Sequence, residues 1–272
     1  MGSSLLSGLR MFLYVSWTVL LIPVQAIGLR FRLSYARHLP GFYHRSCCTI
    51  FGFRLVQIGE ISDTRPTLFV SNHTSYLDIT MLSALIPGVS FISKAEVADW
   101  PFFGTLARLQ KTVFIERRAS RASSHRSVIH TRLQRGDPLI LFPEGTSNDG
   151  NRVLPFKSAL FSVAEEKVNG AALVVQPVSI AYTRLDGIPF GRALRPYYAW
   201  YGDMELAPHF WKMAGLGDLT VVVQFHRPVT IAAFDSRKTL AKACHKTVAQ
   251  GVAMALTGQV PSDEAPATGA NP

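Results

Sequence analysis

Cysteine is scarce in this chain of 272 residues, which holds only Cys47, Cys48 and Cys244. Adjacent cysteines rarely bridge each other, and neither a CxxC nor a Cys/His ligand spacing occurs. A disulfide framework is therefore not expected, nor is a metal site. Acidic residues are also few, 18 Asp+Glu against 28 Lys+Arg, which leaves a formal charge of +10. Such a surplus suits an anionic partner: nucleic acid, a membrane surface or a phosphorylated ligand. A block of five or six basic residues is missing, however, and the arginines are scattered among apolar residues and 17 Phe. That distribution speaks against a nucleic-acid partner and for a membrane surface. A GxSxG elbow is absent, which argues against a serine hydrolase. No internal repeat is evident.

Charge is absent altogether from Met11 to Leu29, a stretch rich in Leu, Val, Ile and aromatics. Its length approaches the roughly 30 Å of a bilayer core. Pro23 and Gly28 interrupt it, so a tilted, kinked or half-inserted helix competes with a clean span. A signal peptide is a further reading, since Val24-Gln25-Ala26 resembles a small-residue cleavage site. Arg30, Arg32, Arg37 and Arg45 come after the stretch and only Arg10 precedes it. This asymmetry places the C-terminal side of the stretch in the cytoplasm, at the cell membrane. Leu33 to Phe53 fits an interfacial helix on anionic lipid or an ordinary amphipathic helix packed on a domain. The expected division is 1–56 as membrane-anchoring helices, 57–258 as a catalytic domain and 259–272 as a frayed tail.

From about Gln57 buried-strand patterns alternate with helical ones. Strands are expected at Thr67–Ser71, Val89–Ser93, Thr112–Ile115, Pro138–Phe142, Ala172–Ile180 and Thr220–His226. Helices are expected at Ile79–Ile86, Phe103–Leu109, Ser120–Gln134 and Phe156–Val168. Most strands read as continuous apolar runs, as strands covered on both faces do. The fold class is thus α/β, a mostly parallel sheet flanked by helices with an N-terminal anchoring segment. Ligands of such folds bind at the carboxyl ends of the strands.

Two strand ends carry candidate chemistry. After Val70 comes Ser71-Asn72-His73-Thr74-Ser75-Tyr76-Leu77-Asp78, where a histidine and a carboxylate could act as base and orienting partner. Five residues along an ideal helix turn through roughly 500°, leaving the two about 140° apart, so one helical face cannot hold both. If Ser75 caps the helix, His73 lies in the preceding turn and Asp78 falls at the third helical position, as in a capping box. The plainer reading is that Asp78 only caps and His73 is a turn histidine. The second strand end, Leu139 to Phe142, runs into Pro143-Glu144-Gly145-Thr146-Ser147. Glu144 would emerge at the same sheet edge as His73, or else face solvent. Lys94, Arg117, Arg118, Arg152 and Lys157 lie near strand ends, where they could converge on an anion or simply be solvated.

The run His73-Thr74-Ser75-Tyr76-Leu77-Asp78 matches the HxxxxD box of the glycerolipid acyltransferases. Further blocks occur in that family's order. Lys94-Ala95-Glu96, Pro101-Phe102-Phe103-Gly104 and Phe114-Ile115-Glu116-Arg117 resemble the second. Phe142-Pro143-Glu144-Gly145-Thr146 resembles the third, with Leu154-Pro155-Phe156-Lys157 behind it, and Val175-Gln176-Pro177-Val178 resembles the fourth. HxxxxD alone is weak; four blocks in order are strong. The resemblance covers about residues 65–182.

It implies transfer of a fatty acyl chain from acyl-CoA or acyl carrier protein to a lysolipid hydroxyl, without a cofactor. His73 would be the base and Asp78 its orienter, with backbone N–H groups at the helix start as oxyanion donors. Lys94, Arg117, Glu144, Gly145 and Thr146 would bind the acceptor. The leading acceptor by resemblance is 1-acylglycerol 3-phosphate, giving phosphatidic acid. One position departs from that pattern: many phosphatidic-acid-forming members carry Arg where Ser147 stands. Ser147 and the run Tyr198 to Glu205 together resemble a lyso-ornithine-lipid acyltransferase branch, the alternative acceptor. A non-catalytic lipid-binding protein is the alternative of a different class.

Overall fold

The computed structural model describes residues 2–116 and 122–259. Arg117 and Arg118, and nearly all of the expected tail, lie outside the described residues. Eleven strands are described: β1 Phe53–Ile58, β2 Thr67–Ser71, β3 Ser90–Lys94, β4 Val113–Ile115, β5 Leu139–Leu141, β6 Lys167–Val168, β7 Ala171–Ala172, β8 Val174–Leu185, β9 Ile188–Pro189, β10 Leu219–Phe225 and β11 Val229–Thr230. The helices are α1 Ser4–Arg30, α2 Leu39–Phe51, α3 Leu77–Leu85, α4 Phe103–Leu109, α5 Ala122–Gln134, α6 Leu206–Ala214 and α7 Arg237–Thr257.

The main sheet runs β1-β10-β8-β2-β5-β3-β4, with β9 and β11 pairing β8. Every pairing along that path is parallel except β10 with β8. A mostly parallel sheet demands cover on both faces, and β2 shows it, since all five of its residues are buried. One core cluster holds Phe69, Met81, Leu82, Phe91 and Ile140 together with Cys47 and Phe51 of α2. Another holds Leu68, Val70, Leu139 and Leu141 with Leu240 and Cys244 of α7. The alternating residues of β2 thus face opposite layers, as the two-residue strand period requires.

Several expectations need correction. β1 starts at Phe53, with Phe53 in register with Leu219, so the expected boundary at 56/57 falls inside this strand. The helix expected to reach Val168 is a 3-10 segment, Ser158–Glu165. It stops at Glu165 because Glu166 is already extended (φ −96°, ψ 144°) and leads into β6, and Asn169 and Gly170, at φ 52° and 83°, then turn the chain from β6 into β7. Asn-Gly is the favoured pair for such a two-residue turn. The strand expected from Ala172 divides at Leu173 into β7 and β8.

α1 has 27 residues, about 40 Å of helix, and is moored along its whole length. The Ser3 N–H donates to Gly215 O at 2.9 Å, and Arg10 Nη1 donates to Leu216 O at 2.6 Å. Thr18 and Tyr43 pair their hydroxyls at 2.9 Å, and Gln25 Nε2 donates to Leu109 O at 3.1 Å. The opposite face leaves Leu5, Phe12, Val19, Leu20 and Ile27 exposed. α2 packs through Gly41, His44, Cys47, Cys48 and Phe51 and lies against α3, which is the packing of an amphipathic helix on a domain.

Candidate active site

β2 ends at Ser71, and Asn72 carries on its hydrogen bonding with a side chain. Asn72 Nδ2 donates to Ile180 O and Asn72 Oδ1 accepts from Ile180 N–H, both at 2.9 Å. This clasp to β8 lets the backbone leave the sheet and still fixes the turn that presents His73.

His73 Nδ1 lies 2.8 Å from Asp78 Oδ2. The same oxygen accepts the N–H groups of Thr74 at 2.7 Å and Ser75 at 3.0 Å. Asp78 Oδ1 accepts the Tyr182 hydroxyl at 2.7 Å. Asp78 is fully buried (0% exposed), whereas the His73 side chain keeps 21% of its surface open. Four donors converge on one carboxylate, and that is what allows a buried acid to be held without a cationic partner. With Nδ1–H donating to Asp78, the tautomer is set and Nε2 carries the lone pair. The Phe142 ring stacks on the imidazole, centroids 4.1 Å apart and planes 16° apart, which removes ring rotation.

The capping-box geometry holds only in part. Asp78 reaches back to the Ser75 N–H, but the helix is capped at Tyr76 with no side-chain cap bond, and the Asp78 N–H donates to the Ser75 carbonyl at 3.1 Å. The carboxylate gathers the whole turn, not one cap. The N–H groups of Thr74 and Ser75 are therefore committed to Asp78, so of the backbone N–H groups near the helix start these two are engaged in holding the turn.

Glu144 is buried and sits beneath the histidine. Its Oε1 accepts the His73 N–H at 2.8 Å, and its Oε2 accepts Asn148 Nδ2 at 2.6 Å and the Leu154 N–H at 2.9 Å. The Asn148 N–H donates in turn to His73 O at 3.2 Å. Burial pushes the Glu144 carboxyl up to about 7, against the pull of these three donors. Glu144 thus ties the end of β5 to the His73 turn. Gly145 comes next at φ 75°, and a Cβ there would lie 2.8 Å from Lys157 Nζ. The positive φ favours glycine there, and a Cβ would also push the Lys157 ammonium aside.

The remaining expected site residues are more dispersed. Thr146 is exposed just beyond Gly145. Lys94 ends β3 at the same carboxyl edge, but β5 lies between β3 and β2. Two strand spacings make about 10 Å between those backbones. Asn72, Asn148, Phe142 and Tyr182 are the site residues that sequence reasoning did not select. The Tyr182 contact has no sequence signal, because it depends on how β8 passes α3. Cys47, Cys48 and Cys244 are all buried, and burial pushes each thiol up to about 12. They are not thiolate nucleophiles.

An apolar cavity of about 170 Å³ opens between α1, α2, α3 and α4. Phe91 on its wall stacks with Phe142 at 6.2 Å, one ring from His73.

A sheet whose parallel strand end presents a histidine locked to a buried aspartate, beside an apolar cavity, is the constellation of an α/β acyltransferase. A family profile described as Acyltransferase matches residues 53–181. The chain is 45% identical over 259 residues to a lyso-ornithine lipid O-acyltransferase of Brucella abortus, covering 92% of this chain and 97% of that protein. A protein of the same name from Rhizobium meliloti is 38% identical over 268 residues, 96% and 91% of the two chains. A 1-acyl-sn-glycerol-3-phosphate acyltransferase of Neisseria gonorrhoeae is 36% identical over 174 residues, 62% of this chain and 64% of that one. The crystal structure of the 1-acyl-sn-glycerophosphate acyltransferase of Thermotoga maritima superposes with a TM-score of 0.68 at 22% identity, over 95% and 97% of the two chains. It has the same fold. The chain belongs to the acyltransferase family and is an acyltransferase.

Proposed function

We propose that this enzyme transfers a fatty acyl chain from a thioester donor, acyl-CoA or acyl carrier protein, to the hydroxyl of lyso-ornithine lipid. The observation that carries the reading is the His73–Asp78 pair, in a chain whose full-length relatives bear that name. His73 Nε2 takes the acceptor's hydroxyl proton as the oxygen attacks the thioester carbonyl. The tetrahedral intermediate collapses by breaking its C–S bond, and the imidazolium returns the proton to the leaving thiolate. Asp78 holds the tautomer and stabilises the transient imidazolium. Direct attack needs no acyl-enzyme, in keeping with the buried thiols.

The preference for lyso-ornithine lipid over the leading expectation, 1-acylglycerol 3-phosphate, has two supports. In sequence, the Neisseria gonorrhoeae relative with the phosphate-acceptor name aligns over 62% of the chain, against 92% for the Brucella abortus protein. Ser147 also lacks the guanidinium that a phosphate would engage in bidentate fashion. The Glu144 carboxylate and Gly145 shape the turn beside His73 on the acceptor side. Thr146 and Lys94 are assigned to the acceptor head group, as is Arg117, which lies outside the described residues.

The enzyme sits on the cell membrane with its catalytic domain on the cytoplasmic side. α1 is the one helix, among the described residues, long and apolar enough to cross a bilayer. Because both its ends are moored to the domain, it lies along the membrane surface with its apolar face in lipid and does not cross. The acyl chain then enters the α1–α2 cavity from the bilayer. The test is turnover by the full-length, detergent-solubilised protein on a panel of lysolipids with both thioester donors. Lyso-ornithine lipid should give the highest kcat/KM. A higher value with 1-acylglycerol 3-phosphate would reverse the acceptor assignment.

A further inference from the structure

We propose that the enzyme holds its two acyl chains in separate apolar spaces, and that an open groove between α1, α4 and α6 receives the chain already carried by the lysolipid acceptor. The proposal rests on the acyl-transfer reading above. Direct attack of the acceptor hydroxyl on the thioester requires donor and acceptor to be bound together, and each brings one chain. The α1–α2 cavity is one apolar space, and the groove, of about 650 Å³, is the other. Met11 and Val15 of α1, Phe102, Trp200, and Ala207 and Trp211 of α6 line the groove and not the cavity. Tyr14, Phe103 and Phe210 border both, and their rings meet in the wall between them. The Tyr14 and Phe210 centroids are 5.3 Å apart, and those of Phe103 and Phe210 are 6.3 Å apart. A chain would have to displace these rings to pass from one space to the other.

Both spaces reach the catalytic turn. The cavity does so through Phe91 and Phe142, and the groove through Trp200, whose N–H donates to Thr74 O at 3.0 Å. The groove opens where Val15, Phe102 and Trp211 are exposed. Four residues on from Val15, Val19 is exposed on the same side of α1, so the groove continues into the apolar face that this helix offers to lipid. A lysolipid in the bilayer can slide its chain in from that side while its hydroxyl approaches His73. The phosphates of a coenzyme A donor call for cations, whereas none of the residues lining the groove is charged. A hydrocarbon chain is the occupant that such a lining suits. Phe102, at the rim, is held at φ 65° and ψ −55° in a γ-turn that the Phe103 N–H closes on Pro101 O at 2.7 Å. Such a backbone is strained for a residue with a side chain, and strain of this kind gathers at ligand clamps.

Full-length solubilised protein is assayed over a grid in which the donor-chain length and the lysolipid's resident-chain length vary independently. Ala207→Phe narrows the groove alone, from an exposed position in the first turn of α6. Ala107→Phe narrows the cavity alone. Ala207→Phe should lower kcat/KM for long resident chains by about tenfold or more relative to short ones, with the donor-chain profile unchanged. Ala107→Phe should do the reverse. Each profile is a ratio within one variant, so loss of folded protein does not enter it. Binding is read without turnover, from quenching of tryptophan fluorescence by a lysolipid whose resident chain is brominated. Three of the four tryptophans, Trp100, Trp200 and Trp211, line the groove, and Trp17 lines neither space. Quenching should saturate, and Ala207→Phe should raise the concentration it needs by about tenfold. A donor-chain shift in Ala207→Phe would make the groove the mouth of the cavity and overturn the proposal. An unchanged resident-chain profile in that variant, or quenching that does not saturate, would leave the groove to bulk lipid and overturn it equally. Absence of turnover on every lysolipid, with saturable quenching that Ala207→Phe weakens, would refute the acyl-transfer reading alone.

Discussion

Asp78→Asn separates the charge of the catalytic aspartate from its geometry. Three donors meet at Oδ2, namely His73 Nδ1–H and the N–H groups of Thr74 and Ser75. An asparagine must therefore put its amide oxygen there and its NH₂ at the Oδ1 position. The Tyr182 hydroxyl, 2.7 Å from Oδ1, can turn from donor to acceptor. The imidazole keeps Nδ1–H, so the variant loses the negative charge and keeps the tautomer. At a charge separation of about 4 Å and an effective dielectric of about 20, a full imidazolium loses about 4 kcal/mol of attraction. With the proton half transferred in the transition state the loss is about 2 kcal/mol. kcat should then fall by roughly 30- to 1000-fold, less than the ~10⁴-fold seen where the equivalent change also inverts the tautomer. The assay is single-turnover release of thiol from the donor, with the melting temperature measured alongside. A loss of 10⁴-fold or more in a folded variant would show that the backbone amides do not orient the side chain. A loss under threefold would show that the charge does no catalytic work.

The same contacts predict other outcomes. Tyr182→Phe leaves a buried carboxylate oxygen without this donor and should cost about 1.5–3 kcal/mol of stability. kcat should fall less than in Asp78→Asn; a larger fall would make Tyr182 more than a support. Glu144 has a folded pKa of about 7, raised from an ordinary 4.5. The folded state then holds its proton longer, so this contribution to stability is complete below about pH 4.5 and is lost as pH rises through 7. The loss amounts to about 3 kcal/mol. His44 and His226, lowered to about 4 by burial, act with the opposite sign over the acid part of this range. The wild type minus Glu144→Gln difference in chemical-denaturation stability isolates the carboxyl. A difference that is flat from pH 5 to 8 would mean that the three N–H donors keep Glu144 ionised throughout.

Much of the fold was legible because buried parallel strands are short apolar runs with polar ends. β2 and α4 match their expected bounds, and His73 and Glu144 were placed at one edge by the strand ends alone. α6 and α7 were not anticipated. For α7 the signals were present: a Ser236/Thr239 capping box, Leu240, Cys244, Val248 and Val252 at helical spacing, and Gly258 closing the end at φ 74°. The mean polarity of its other face hides this stripe from a search for apolar runs. The second layer of the site was beyond sequence reasoning for a different reason. Tyr182 is 104 positions from Asp78 and Asn148 is 75 from His73, so their roles exist only once β8 and the loop after β5 are packed beside the His73 turn. In the sequence itself the proposed acceptor turns on a single side chain, Ser147, and the other support comes from the relatives.

The most direct measurement of the central claim is acyl transfer to lyso-ornithine lipid by His73→Ala, compared with wild type at matched folded concentration. Removing the general base should abolish detectable turnover and leave the melting temperature within a few degrees of wild type, since the imidazole is partly exposed and the Thr74 and Ser75 amides still satisfy Asp78. Turnover within tenfold of wild type would contradict base catalysis by His73.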